Sequence, residues 1–242
     1  MEIPINLIYA YVGSAVMGGL TIDVLRRYIR DPNPTNLYFG LAIASATLST
    51  ASFGLPVLFT RNLKLLSVFA FVGDISLSIA LLFLWIISVR ALLSNKSIFS
   101  RFILFFISLT TIASMTESAL RNLSIPTKVY LSLTSGGHLL VMYPQSALAD
   151  RITAINSISL ICVGVYFLKQ IISIKNKSQR LRLKGVSFGF IIAGLNFIVT
   201  PFIKADFHTT FTAVNMTLCF LVIALMSIAS IWKNKTPRKK LA

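Results

Sequence analysis

Twenty-five consecutive residues, Leu65 to Val89, read LLSVFAFVGDISLSIALLFLWIISV and contain one charge, Asp74. About 20 apolar residues suffice for a helix to cross the hydrocarbon of a bilayer, and a helix apolar on every face has no place on a water-soluble surface. The run is therefore expected to be a transmembrane helix. Its carboxylate is costly to keep in lipid, so Asp74 should face other helices and is the first candidate for function.

The rest of the chain belongs to the same solvent. Hydrophobic residues make up 55% of the 242 and charged residues only 12%, with a mean hydropathy of +0.80. This is the composition of a multi-pass membrane protein. Seven apolar spans follow in order, at about residues 5–25, 37–59, 65–89, 102–120, 148–172, 185–203 and 208–232. The first lacks a basic leader and a small-residue cleavage site, so it is expected to be retained. Cys162 and Cys219 lie inside apolar spans, which argues against a disulfide framework or a metal knuckle.

The net charge of +16 would suggest nucleic acid in a soluble domain, but here the basic residues flank the spans. Orientation and anionic headgroups account for them, and nucleic acid is excluded as a partner. Alternate connections divide them unevenly: one side holds 17 of the 23, from Arg26, Arg27 and Arg30 through the dense 169–184 segment to the C-terminal Lys239 and Lys240. The positive-inside rule then places the N-terminus outside and the C-terminus in the cytoplasm. On the outer side, between the fourth and fifth spans, Val129–Thr134 and Leu139–Tyr143 flank Ser135-Gly136-Gly137-His138, a pattern that predicts a β-hairpin. The expected fold is an all-α, single-domain, seven-helix plasma-membrane protein with an outer hairpin.

Polar residues within the spans define the candidate site. At a rise of about 1.5 Å per residue, Glu117 falls roughly 5–8 Å inside the outer boundary, Asn156, Asn196 and Asn215 roughly 10–12 Å inside it, and Asp74 near the midplane. His208 stands at the outer end of the seventh span, and the cytoplasmic half holds no comparable group. Polarity thus forms a one-sided funnel, the pattern of an outward-facing pocket rather than of a two-sided transport path. No lysine or arginine is expected at the depth of Asp74, so the carboxylate should be protonated or served by hydroxyl, amide and water donors, with Asn215 nearby. A plainer interpretation of each asparagine is interhelical hydrogen bonding.

Several chemistries lack their residues. The seventh span has no lysine for a retinal Schiff base, the two histidines do not face each other inside the bundle, and HExxH, GxSxG, Walker A and cysteine-cluster motifs are absent. No catalytic activity, cofactor or metal is expected. Val12-Gly13, Phe39-Gly40 and Asp74 are paralleled in order by Val163-Gly164, Phe188-Gly189 and Asn215. The intervals of 34 residues from Gly40 to Asp74 and 26 from Gly189 to Asn215 argue against a true duplication.

The expected function is that of an accessory or anchor subunit of a larger membrane complex, such as an energy-transducing one, with an outward-facing polar pocket, favoured by the absence of catalytic motifs; the alternatives are a seven-helix receptor or sensor signalling through a separate partner and a 3+1+3 transporter. Expected partners are membrane lipids, other membrane subunits and a small apolar or quinone-like ligand.

Overall fold

A computed structural model describes residues 5–30, 32–92, 98–131, 139–144, 147–203 and 214–226. Within them the chain forms α1 (Ile5–Arg30), α2 (Pro34–Gly54), a one-turn α3 (Pro56–Phe59), α4 (Leu63–Leu92), α5 (Ile98–Ser124), β1 (Lys128–Leu131), β2 (Leu139–Met142), α6 (Ala147–Ser173), α7 (Lys177–Val199) and α8 (Val214–Met226). Five stretches are long and apolar enough to cross a membrane: Pro34–Phe59, Leu63–Arg90, Ile98–Ser124, Asp150–Ser173 and Lys177–Phe202. The protein is a multi-pass helical membrane protein. The two other expected spans coincide with α1 and with the described part of the last one, α8; both are helices outside that set of five.

Local chemistry sets the helix ends. Asn33 caps α2 by accepting from the Thr35 N–H at 2.9 Å, with Pro34 in the first turn, where its missing N–H costs nothing. Asn62 caps α4 in the same way, accepting from the N–H groups of Lys64 and Leu65. Asn176 caps α7 through Ser178 and Gln179, which starts this helix eight residues before the expected span. The basic 169–184 segment is therefore mostly helix, with a three-residue link at 174–176. Pro56 separates α2 from α3, and Pro201 sits in the single 3-10 turn Thr200–Phe202 that follows α7.

The helices form a closed sequence of neighbours. α2 packs against α1 and α4, α4 against α5 and α6, and α6 against α7. α8 closes the sequence: Gly189 of α7 receives Ile223, and Gly13 of α1 lies against Phe220. A Cβ on Gly189 would stand 2.4 Å from Ile223 Cδ1, so no side chain fits there unless Ile223 gives way. The α6–α7 seam is equally close, since a Cβ on Gly164 would approach the Ser187 carbonyl oxygen to 2.8 Å. Cys219 adds an Sγ contact to the Gly189 carbonyl at 2.9 Å. α5 stands outside this ring and turns Phe102, Phe105, Phe106, Leu109 and Ile112 outward.

α4 and α5 run antiparallel in a register marked by three polar contacts: Ser67 with Thr127, Asp74 with Arg121, and Ser78 with Ser114. Ser124, the end of α5, is thereby level with about residue 71 of α4. The first eight residues of α4 overhang α5 by about 12 Å at the helical rise. The segment after α5 and the hairpin fill that space. β1 and β2 pair antiparallel, Lys128 opposite Met142 and Leu131 opposite Leu139. Val141 is fully buried with Val57 and Leu66. The expected turn, Ser135 to His138, lies outside the described residues.

Candidate functional site

The ring encloses a cavity of about 230 Å³. Its walls come from all the ring helices, and α5 enters through Ser114, Ser118 and Arg121. From the hairpin end, Tyr143, Pro144, Asp150, Thr200 and Pro201 line its upper part; Met17, Ile43, Leu84, Phe190 and Ile223 line its deeper part. The deeper part is thus apolar and the hairpin end polar, a distribution common in small-molecule sites. Tyr143 is held there by donating its hydroxyl to the Phe53 carbonyl, with the two rings edge to face at 5.5 Å.

Asp74 occupies the cavity wall about 5 Å to the hairpin side of the middle of α4, counting along the helical rise. Its Oδ2 accepts from Ser118 Oγ at 2.7 Å, Asn122 Nδ2 at 2.6 Å and an Arg121 guanidinium nitrogen at 2.5 Å. The hydroxyl and amide donors match what the sequence implies. The arginine does not: the span ends estimated from hydropathy put Arg121 at a flank, whereas α5 continues to Ser124 and the guanidinium turns inward. Long basic side chains bury their stems and carry the charge to where it is best served, and here that is a carboxylate rather than water. Only 10% of the Arg121 side chain and 20% of Asp74 remain exposed. A charge-assisted pair with two further donors compensates the burial of both charges far better than either residue alone could.

The other candidates do not converge on this point. Glu117 is half-buried on α5, and no donor among the described residues reaches its sealed Oε2. Asn156 is buried and accepts from Thr110 at 3.2 Å, an α5–α6 contact of the plain interhelical kind. Asn196 is buried with neither amide atom partnered among the described residues. Asn215 is half-buried on α8 and is absent from the described cavity lining, so the expected neighbour of Asp74 is replaced by α5. His208 lies outside the described residues. Residues the sequence reasoning passed over are Arg121, Ser118, Asn122, Tyr143 and Asp150. A signal for two of them, Ser118 and Asn122, was present: Thr111, Ser114, Ser118 and Asn122 recur at helical spacing on the buried face of α5.

At the opposite end, Asp23 of α1 pairs with Arg27 at 3.0 Å and with Arg182 of α7 at 2.9 Å. Arg90 stacks over Tyr38 at 4.6 Å from the ring centre. These contacts tie helix ends together and lie apart from the cavity lining. Among the described residues no group of three or more His, Cys, Asp or Glu could hold a metal ion. No family model matches the chain, and no curated protein is similar to it in sequence.

Proposed function

We propose that this protein is a seven-helix receptor or sensor of the plasma membrane that takes a small, mainly apolar molecule into a pocket opening to the outside. The observation that carries this reading is the 230 Å³ cavity on the ring axis, polar at the hairpin end and apolar at depth, with the Asp74–Arg121 pair in its wall. An anchor subunit needs lipid-facing and partner-facing surfaces but no such interior space. A transporter needs a polar route to both faces, whereas the deeper lining is Met17, Ile43, Leu84 and Ile223. The hairpin end is taken as outside because 17 of the 23 basic residues belong to the other end. Signalling would then run through a separate cytoplasmic partner docked on the basic helix ends.

The test is ligand-induced stabilisation. In nanodiscs, the wild type should be stabilised by members of a library of small amphiphiles, and Ala193→Phe, which fills the cavity wall, should lose that response while keeping its fold. If no compound raises the unfolding midpoint of the wild type, the pocket reading fails. A protein that copurifies with other membrane chains in mild detergent and is unstable without them favours the subunit reading instead.

A further inference from the structure

We infer that a groove between α1 and α8 holds one anionic phospholipid, with an acyl chain along the groove and the headgroup phosphate between Arg26 and Arg182. The inference rests on α1 and α8 crossing the membrane with the other helices, and not on what the central cavity takes. The groove has a volume of about 200 Å³ and is lined by Ala15, Gly19 and Leu20 of α1, Ile223 and Ala224 of α8, and Arg182 of α7. Exposed apolar side chains border it on both helices, Tyr11 and Ile22 on α1 and Leu218, Leu221 and Leu225 on α8. Gly19 is itself exposed, and a Cβ added to it would meet nothing within 4 Å. The groove is therefore an open slot on the outer surface of the bundle, and no described residue fills it.

Charge at one end of the slot selects the headgroup. Ala15, Gly19, Ile22 and Arg26 follow one another at helical spacing and share one face of α1, which places Arg26 roughly 10 Å beyond Gly19. Arg26 is exposed, and no described acidic residue pairs with it. Arg182, in the groove wall, shares its carboxylate: Asp23 Oδ2 binds Arg182 at 2.9 Å and Arg27 at 3.0 Å. One acid serves two guanidiniums, so the trio carries a net positive charge.

The surroundings add to the excess. Residues 23–31 and 177–184 carry seven basic side chains against two acidic ones, Asp23 and Asp31, and residues 151–205 contain no acidic residue. A phosphate supplies the missing anion. Guanidinium suits it, because weak hydration and a fork of donors favour charge-assisted bonds to phosphate oxygens. The same excess repels the cation of a zwitterionic headgroup, so the lipid is net-negative. Free phosphate would leave the apolar slot unfilled, whereas a phospholipid engages both parts.

The probes are dioleoyl phosphatidylglycerol and dioleoyl phosphatidylcholine, titrated into the full chain in uncharged detergent, with bound lipid counted by native mass spectrometry. The first phosphatidylglycerol should bind at least about ten-fold more tightly than phosphatidylcholine, a preference that two basic side chains can supply. Gly19→Leu, whose Cβ meets no protein atom, should remove most of that preference, and so should Arg26→Gln. Arg101→Gln takes one charge from the start of α5, at the same end of the bundle, and should leave it intact. Equal affinity for the two lipids overturns the headgroup assignment. An equal loss in Arg101→Gln, or full retention in Gly19→Leu, means diffuse attraction to a basic surface and overturns the site. Displacement of the lipid by glycerol 1-phosphate overturns the lipid in favour of a water-soluble phosphate. Ala15→Leu, on the same face, takes the place of Gly19→Leu if that variant does not fold.

Discussion

Arg121 and Asp74 are each other's counter-charge inside the bundle, and their energetic weight lies in what remains when one is removed. Arg121→Leu strands a carboxylate that Ser118 and Asn122 only partly serve. The expected loss is about 3–5 kcal/mol, the range for breaking a buried ion pair. The double variant Asp74→Leu with Arg121→Leu removes both charges and should recover most of it. A double-mutant cycle on unfolding free energy in detergent measures the coupling, and an Arg121→Leu protein as stable as the wild type would remove the pair from any structural account. Asp74→Asn also changes meaning. With hydroxyl and amide donors alone it would be nearly neutral for folding; with Arg121 facing it, it leaves a guanidinium without its anion and should cost stability as well as binding.

The elements differ in how far they could be read from sequence, and the difference follows from which force sets their limits. α4 was legible because Leu65 to Val89 contains a single charge and hydrophobicity alone fixes the helix. α7 began earlier than expected because its first turns, Lys177 to Lys184, are basic and polar and are organised by the Asn176 cap rather than by burial. Asn176→Ala should therefore cost about 1 kcal/mol and fray that end, which hydrogen exchange at Ser178 and Gln179 would detect. The strands Lys128–Leu131 and Leu139–Met142 were legible from β-prone composition. That Val141 would bury against Val57 and Leu66 was not, because it depends on the overhang of α4 beyond α5. Nor could the sequence pair Asp74 with α5, since that requires the antiparallel register marked by Ser67–Thr127 and Ser78–Ser114. Close packing makes its own prediction at α7. Gly189→Val should displace Ile223 of α8, costing about 1–3 kcal/mol by the usual penalty of overpacking. An unchanged unfolding midpoint would contradict the α7–α8 contact.

For the molecule as a whole, sidedness is the property on which the functional proposal turns. A cysteine introduced at Gly137 should react with a membrane-impermeant reagent applied from outside, and one at Ser178 should be protected; the reverse pattern would invert the pocket and defeat the receptor reading. The ring has a consequence for how the protein is made as well. Met216, Cys219, Phe220 and Ile223 of α8 supply one wall of the cavity, and α8 is the last described helix in the chain. While the ribosome is still feeding earlier segments into the translocon, the future pocket is a cleft without its final wall, with Asp74 and Arg121 already partnered across α4 and α5. Arrival of α8 turns that trough into a chamber. A nascent chain halted after Ile203 should therefore insert its earlier helices and yet hold no ligand, which makes ligand-dependent protease resistance a readout of completed synthesis.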